Sequence, residues 1–292
     1  MNRKEKILHR LETLGSLGPK RSLGQNFLVS DRVIERILFA VKSLEFTDVV
    51  EIGPGLGALT DDLLALGKPM IVVELDCEMA VMWRERAAER PSEAPLQVIE
   101  ADALQVRWED LDLADGALLV SNLPYQISSS VVIDRCVEPA GISRMVLMFQ
   151  KEVAQRIAAR TSTKEYGLLS AMSQTFWDVA TVCDASGQDF FPAPQVSSRV
   201  LQFRRRKVDW LSLEPRASSD DYLKFVKAAF SHRRKLLARN LLGNYLHWPA
   251  EPGSLLRLNE VLAKHDLLPT CRAEELDAAT FVRLYLSLKD EP

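Results

Sequence analysis

Apolar, β-branched runs alternate with helix-like stretches between residues 49 and 204 of this 292-residue chain, and no other feature limits its fold as strongly. Parallel strands need long crossover connections, which are usually helices, so the alternation predicts a parallel sheet covered by helices on both faces. The last two runs follow each other without a long helix, which predicts an antiparallel edge strand. The predicted strands are 49–53, 70–75, 96–101, 117–123, 145–150, 179–184 and 197–204, with helices at 58–66, 78–90 and 151–160.

The pattern changes after residue 206. Three amphipathic helices are predicted there, at 220–242, 255–265 and 273–288, separated by prolines and glycines. We therefore predict an α/β catalytic domain at 1–206 and a small all-helical domain at 207–292. A helix candidate at 2–14 falls within residues 1–19, which we interpret as an N-terminal appendage.

The composition excludes several other classes of protein. The chain is 47% hydrophobic and 26% charged, which is typical of a globular protein and argues against a disordered or fibrous one. No apolar run reaches the roughly 18 residues needed to cross a bilayer, and the N-terminus lacks the apolar core of a secretion signal. The four cysteines and four histidines lack the spacing of a metal site. We expect a cytoplasmic protein that binds no metal and no membrane.

A glycine-rich turn, EIGPGLG at 51–57, follows the first predicted strand and opens a helix. Glycines there let the backbone approach a bound nucleotide closely, and Glu74, at the end of the next strand, is placed to accept hydrogen bonds from ribose hydroxyls. These two features predict a nucleotide site without separating a nicotinamide dinucleotide from S-adenosylmethionine (SAM). Asp102 ends the third strand, where it either caps a turn or reads an adenine amine. The second reading favours SAM.

The tetrapeptide Asn122-Leu123-Pro124-Tyr125 ends the fourth predicted strand. The exocyclic amine of adenine is a poor nucleophile because its lone pair is delocalised into the ring. If the Asn122 side-chain oxygen and the Leu123 carbonyl accept its two N–H bonds, the nitrogen becomes more tetrahedral, while Tyr125 stacks on the base. This is catalysis by orientation and hydrogen bonding.

These motifs resemble those of the ribosomal RNA adenine dimethyltransferases, specifically the bacterial KsgA type that modifies small-subunit rRNA. The resemblance runs in family order from about residue 20 to 243. The matching strings are KRSLGQNFL at 20–28, EIGPGLG at 51–57, VELD at 73–76, NLPY at 122–125, QKEV at 150–153, YGLLS at 166–170, FFPAPQVSS at 190–198 and FSHRRK at 230–235 followed by Asn240.

The resemblance implies a Rossmann-like methyltransferase sheet that converts SAM to S-adenosylhomocysteine. The implied cofactor-binding residues are Asn26, Leu28, Gly53, Gly55, Glu74, Asp102 and Asn122. The implied catalytic residues are Asn122, Leu123, Pro124, Tyr125 and Phe190, with Phe190 as a second aromatic wall for the target base. Without the family, a core position would be the preferred reading of Phe190.

The implied substrate is a pair of adjacent adenines in a hairpin near the 3′ end of 16S rRNA, methylated at N6 within the immature 30S subunit by a monomeric enzyme. Two alternatives stay open. DNA adenine methyltransferases use a similar tetrapeptide, although Leu123 and the 190–198 string are features of the RNA family. A non-catalytic assembly factor that binds rRNA is the second alternative, and the complete set of acids and the tetrapeptide argue against it.

The formal net charge of −3 conceals a basic segment. Twelve lysines and arginines stand against four acidic residues between positions 199 and 239, a local charge of +8 that leaves −11 for the rest. We expect this segment to bind RNA phosphates, with 233–239 on one helix on which positions 235 and 239 face the same way. The RNA-binding candidates are Arg204, Arg205, Arg206, Arg233, Arg234, Lys235 and Arg239.

Overall fold

The structure is a computed structural model that describes residues 2–13, 25–89, 94–207, 217–246, 248–249 and 251–290. Its strands are β1 (Phe27–Leu28), β2 (Val49–Ile52), β3 (Met70–Glu74), β4 (Leu96–Glu100), β5 (Ala117–Asn122), β6 (Ile142–Gln150), β7 (Trp177–Ala185), β8 (Phe190–Phe191) and β9 (Ser198–Arg205). Its α-helices are α1 (Arg3–Thr13), α2 (Asp31–Lys42), α3 (Thr60–Leu64), α4 (Cys77–Ala88), α5 (Ser128–Val137), α6 (Lys151–Ile157), α7 (Leu168–Phe176), α8 (Ser219–Ala229), α9 (Leu237–Asn244), α10 (Pro252–Ala263) and α11 (Ala278–Asp290). None of these helices is long and apolar enough to cross a membrane.

Seven strands form one sheet in the order β4-β3-β2-β5-β6-β9-β7. The pairs from β4 to β6 are parallel, and β9 joins β6 in the antiparallel direction, which confirms the predicted sheet and edge. Every residue of β2 and β3 is buried, as expected for strands covered on both faces.

The strand order places the ligand-binding edge of the sheet. β2 lies between β3 and β5, so the chain leaves β2 toward one side and later returns to pair on the other. In open α/β sheets, ligands bind outside the carboxyl ends of the strands at such a reversal. The glycine turn, Asp102 and the 122–125 tetrapeptide all lie at the carboxyl ends of these strands.

A second, two-stranded sheet was not predicted. β1 pairs with β8 in the antiparallel direction, with Phe27 opposite Phe191 and Leu28 opposite Phe190. The backbone N–H of Val29 extends the pairing by donating to the carbonyl of Asp189 at 2.9 Å. This ribbon joins the QNFL segment at 25–28 to the FFPAP segment at 190–194, which is far away in the sequence.

The chain divides into two compact units, and the division differs from the predicted one. The first contains residues 1–135, 139–154 and 179–205, and the second contains 136–138, 155–178 and 206–292. Residues 155–178 therefore belong with the C-terminal helices, not with the sheet as predicted. The reason is side-chain packing within the second unit: the Tyr166 hydroxyl donates to the carbonyl of Leu276 at 2.8 Å, and the Thr175 and Tyr222 hydroxyls share a hydrogen bond.

The predicted helix at 220–242 is two helices, α8 and α9, separated by a turn at 230–236. The Asn240 side-chain amide stabilises the break, because its nitrogen donates to the carbonyls of Ala229 and His232 at 2.7 and 3.1 Å. The Ala229 carbonyl lies at the end of α8, where the last carbonyls of a helix have no partner within the helix. The expectation that Arg233, Arg234 and Lys235 share a helix with Arg239 is therefore wrong, since the three lie in the turn.

The interpretation of the N-terminus as an appendage is wrong for α1. Ile7 and Leu11 are buried against Phe27, Leu56 and Met79, so α1 is part of the first unit. Residues 14–24, which include the beginning of the 20–28 string, lie outside the described residues, as does Arg216 of the basic segment.

Candidate active site

A cavity of about 260 Å³ opens at the carboxyl edge of the sheet. It brings together nearly all of the predicted cofactor and catalytic residues, which come from five separate stretches of the chain. The predicted residues that line it are Asn26, Leu28, Gly53, Gly55, Glu74, Asp102, Asn122, Leu123, Pro124 and Tyr125.

The glycine turn is held in place by backbone bonds and close packing. Gly53 has a φ of +64°, which favours glycine, and its N–H donates to the carbonyl of Val73 at 2.8 Å. Gly57, at φ +83°, leaves no room for a side chain, because a Cβ there would lie 2.8 Å from the Trp83 ring. The Trp83 indole in turn donates to the carbonyl of Gly55 at 2.9 Å. The turn is thus preorganised before any ligand binds.

Glu74 is buried at the end of β3, where it supports the turn directly. Its two carboxylate oxygens accept the backbone N–H groups of Gly55 and Asp76 at 3.0 and 2.9 Å. Burial raises the pKa of Glu74 above its usual range, and these two donors counteract part of the shift. The carboxylate still lines the cavity, and each oxygen has a second lone pair with which to accept a ribose hydroxyl.

Asp102 has the turn-capping role that was the alternative reading. Its Oδ1 accepts the backbone N–H of Leu104 at 2.9 Å, and its carbonyl accepts the N–H of Gln105 at 2.8 Å. The residue also lines the cavity. The cap therefore fixes the carboxylate at the cavity wall, and the two readings are compatible.

Glu51 is a cavity residue that the sequence analysis left without a role. It sits inside β2, only 2% exposed, and its Oε2 has no hydrogen-bond partner among the described residues. Burial raises its pKa to about 8, and the negative charge of Glu74 adds to the shift. An acidic residue inside an apolar, β-branched strand was the signal that could have identified it.

The tetrapeptide is anchored on both sides. The Asn122 amide nitrogen donates to the carbonyl of Asn26 at 3.2 Å, so its side-chain oxygen is the atom that remains to accept a bond from a ligand. Leu123 is buried at the cavity wall. The Tyr125 hydroxyl shares a 2.9 Å hydrogen bond with Ser198 Oγ, and burial raises the pKa of this phenol.

Phe190 is the one predicted catalytic residue that does not line the cavity. Its ring is 4% exposed and packs into the main core cluster, because pairing with Leu28 in the β1–β8 ribbon directs it inward. The expectation that it faces the target base is wrong in this structure. The neighbouring Phe191 is half-buried, with Lys4 of α1 over its ring at 5.8 Å.

The predicted RNA-binding residues differ in how far they are already engaged. In the first unit, Arg204 is exposed and Arg205 donates to the carbonyl of Arg135. In the second unit, Arg206 pairs with Asp178 and Arg233 pairs with Glu274, both at 2.7 Å. Four of the candidates are exposed and have no ion pair with the described residues: Arg204, Arg234, Lys235 and Arg239.

α1 reaches the glycine turn through Arg10, which the sequence analysis also missed. The Arg10 guanidinium donates to the carbonyl of Leu56 at 2.6 Å and pairs with Asp61 of α3 at 2.7 Å. Arg86 of α4 contacts the other oxygen of Asp61, also at 2.7 Å. These cations hold the pKa of Asp61 below its usual range despite its burial.

The described residues contain no cluster of metal-ligating side chains.

The sheet order and the carboxyl-edge site define a Rossmann-like methyltransferase. The crystal structure of a dimethyladenosine transferase from Plasmodium falciparum matches at a TM-score of 0.74 and 25% identity, covering 90% of this chain and 98% of that one. That of the 23S rRNA methyltransferase ErmE matches at 0.61 and 25% identity, covering 90% and 100%.

The sequence comparisons are more specific. A ribosomal RNA small subunit methyltransferase A from Bdellovibrio bacteriovorus is 45% identical over 97% of this chain and 96% of its own length. The same-named protein of Desulfitobacterium hafniense is 36% identical over 91% of each chain. The family model described as ribosomal RNA adenine dimethylase matches residues 18–266. The chain belongs to the ribosomal RNA adenine dimethylase family, which confirms the resemblance seen in its motifs.

Proposed function

We propose that this protein transfers methyl groups from SAM to the N6 amines of two adjacent adenines near the 3′ end of 16S rRNA, giving N6,N6-dimethyladenine during assembly of the 30S subunit. The observation that carries this proposal is the tetrapeptide Asn122–Tyr125, which lines the same cavity as the glycine turn and the two strand-end acids. The family membership supports the RNA substrate.

The cavity residues fit SAM. Glu74 would hold the ribose, Asp102 the adenine amine and the turn at Gly53 the amino-acid moiety, and Oε2 of Glu51 has no hydrogen-bond partner among the described residues that line this cavity. When bound, SAM supplies an electrophilic methyl carbon with a neutral thioether as the leaving group. The protein's task is therefore to orient and activate the amine.

Two acceptors carry out that task. The Asn122 side-chain oxygen and the Leu123 carbonyl would each accept one N–H of the adenine amine, which draws its lone pair out of conjugation with the ring. Because the Asn122 amide nitrogen donates to the Asn26 carbonyl, the amide oxygen is the atom left to accept an N–H of the adenine amine. The ring of Pro124 fixes its own φ angle and so restricts the backbone directly after Leu123.

The target base needs a stacking partner once it has left its neighbours in the RNA. The Tyr125 ring lines the cavity directly after the two acceptors and would supply it. Stacking on an aromatic side chain contributes about 1–3 kcal/mol per base. Phe190 is left out of this role here, because its ring is in the core.

Binding of the rRNA itself would use the basic residues. Exposed Arg234 and Lys235 in the 230–236 turn are placed to neutralise phosphates, which positions RNA without reading its sequence. We propose that the enzyme acts in the cytoplasm as a monomer on the immature 30S subunit.

The test is transfer of tritium from labelled SAM to immature small subunits, with duplex DNA as the competing substrate. Label in the rRNA alone supports the proposal. Label in the DNA alone favours the DNA methyltransferase alternative. Binding of subunits without label in either nucleic acid favours the non-catalytic assembly factor.

A further inference from the structure

Tyr125 is held by one hydrogen bond at its backbone and by another at its phenol. At the backbone end, the Ser128 hydroxyl donates to the carbonyl of Tyr125 at 3.0 Å. At the far end, the phenol shares its 2.9 Å hydrogen bond with the hydroxyl of Ser198. Ser198 is fully buried, whereas Tyr125 is half-buried and borders the cavity. The two bonds therefore fix the direction of the long axis of the ring, from Cβ to Oη, next to the two acceptors of the tetrapeptide.

Ser198 is itself held by the sheet. It is the first residue of β9 and lies opposite Gln150 at the carboxyl end of β6. The ladder continues one step further, because the N–H of Lys151 donates to the carbonyl of Ser197 at 2.8 Å. A side chain on a paired strand is positioned more accurately than one on a loop. Strand β9, which lies between β6 and β7 in the sheet, thus supplies the fixed point for a ring that the 122–125 segment carries.

We propose that Ser198 is a positioning residue for methyl transfer, whose hydroxyl holds the phenol end of Tyr125 and so keeps the ring at the place where the target adenine stacks. The inference rests on the proposed function, since it needs an adenine on that ring. A tilted ring would carry the stacked amine away from the Asn122 and Leu123 acceptors, and small displacements of this kind are costly to rate. Burial keeps the phenol neutral, so the bond persists through the neutral pH range.

The test compares S198A, Y125F and the double variant on immature small subunits. Each single variant is expected to lower kcat about 5- to 10-fold, the value of one neutral hydrogen bond, with the dissociation constant for SAM unchanged. The kcat of the double variant is expected to be no lower than that of the less active single variant, because both substitutions remove the same bond. S198T keeps the hydroxyl and is expected to restore kcat. S197A, at the exposed neighbouring serine, is the matched control.

Three results would overturn the inference while leaving the proposed function intact: wild-type kcat in S198A, losses that multiply in the double variant, or a loss of SAM affinity in S198A as large as its loss of kcat. The last would reveal a general disturbance of the cavity. Melting temperatures close to that of the wild type establish that the variants are folded. A wild-type enzyme that methylates no subunit would refute the proposed function, and the inference with it.

Discussion

Glu51 is a cavity residue whose pKa departs far from its ordinary value. Its carboxyl is buried in β2 with an unpartnered oxygen, and burial raises its pKa from 4.5 to about 8. Between these two values the unfolded chain has lost the proton while the folded protein keeps it. The free energy of unfolding therefore falls as the pH rises through this window, and the loss is complete above pH about 8.

E51Q removes this titration and leaves a neutral group of similar shape. We expect the variant to be more stable than the wild type at pH 8, on the order of 1–3 kcal/mol, and no more stable at pH 4.5, where both side chains are neutral. Thermal unfolding of the ligand-free protein across this range measures the difference. An equal difference in stability between E51Q and the wild type at both pH values would show that Glu51 does not titrate in this window.

In the proposed mechanism, Asn122 is the residue on which methyl transfer depends most directly. N122A removes one of the two acceptors for the target amine, and we expect methyl transfer to fall by roughly 10²- to 10³-fold, comparable to the loss of one preorganised hydrogen bond in other active sites. SAM affinity is expected to change by less than about 3-fold, because the glycine turn and Glu74 would make the main contacts with SAM in the proposed complex. S129A, an exposed serine nearby in α5, is the control. Full activity in N122A would remove Asn122 from the mechanism.

At the scale of elements, helix α1 supports the glycine turn, a role that its sequence did not predict. Arg10 joins it to the carbonyl of Leu56 in the glycine turn and to Asp61 in α3. We expect R10A to lower the free energy of unfolding by about 1–2 kcal/mol and to weaken SAM binding, since a charged donor to a partly buried carbonyl is lost.

K6A on the same helix is the matched control. Lys6 pairs with the same carboxylate of Asp61, at 3.3 Å, but its side chain is 52% exposed. An exposed ion pair contributes about 0–1 kcal/mol, so we expect little change in melting temperature or SAM affinity. Equal effects of R10A and K6A would mean that α1 contributes only general charge to the site.

Elements whose pattern is local could be predicted from the sequence, and those set by tertiary contacts could not. The apolar runs at β2, β3 and β5 identified the sheet, and the acids and amide at their ends identified the cavity. The docking of α1 depends on single contacts such as that of Arg10. The break between α8 and α9 depends on one amide, that of Asn240. Neither leaves a periodic signal.

Phe190 illustrates the same limit within the site. The family motif assigns an aromatic residue to the target base, but pairing of β1 with β8 decides which way each ring of 190–191 points. Strand register of a two-residue ribbon has no sequence pattern to predict it. The assignment of residues 155–178 to the second unit likewise depends on contacts between residues far apart in the sequence, such as Tyr166 and Leu276, which are 110 residues apart.

For the molecule as a whole, the location of charge matters more than its sum. The chain is acidic overall, yet it carries +8 between positions 199 and 239. Within that segment the structure separates engaged cations, such as Arg206 and Arg233, from Arg234 and Lys235, which have no carboxylate partner among the described residues. Only cations of the second kind are immediately available to phosphates.

We expect the double variant R234A/K235A to bind small-subunit rRNA more weakly and to reduce the slope of log affinity against log salt by about 1–2, since each phosphate contact contributes about one counterion. R84A, an exposed arginine of α4 paired with Glu100, is the matched control and should leave the slope unchanged. Filter binding at several salt concentrations measures both. An unchanged slope in R234A/K235A would assign the turn to solvated surface.

The most direct test of the central claim is mass-spectrometric mapping of N6,N6-dimethyladenine in small-subunit rRNA from cells with and without this protein. We predict two adjacent dimethylated adenines near the 3′ end when the protein is present, their absence when it is deleted, and their return with the wild-type chain but not with N122A. Unchanged dimethylation in the deletion strain would contradict the account.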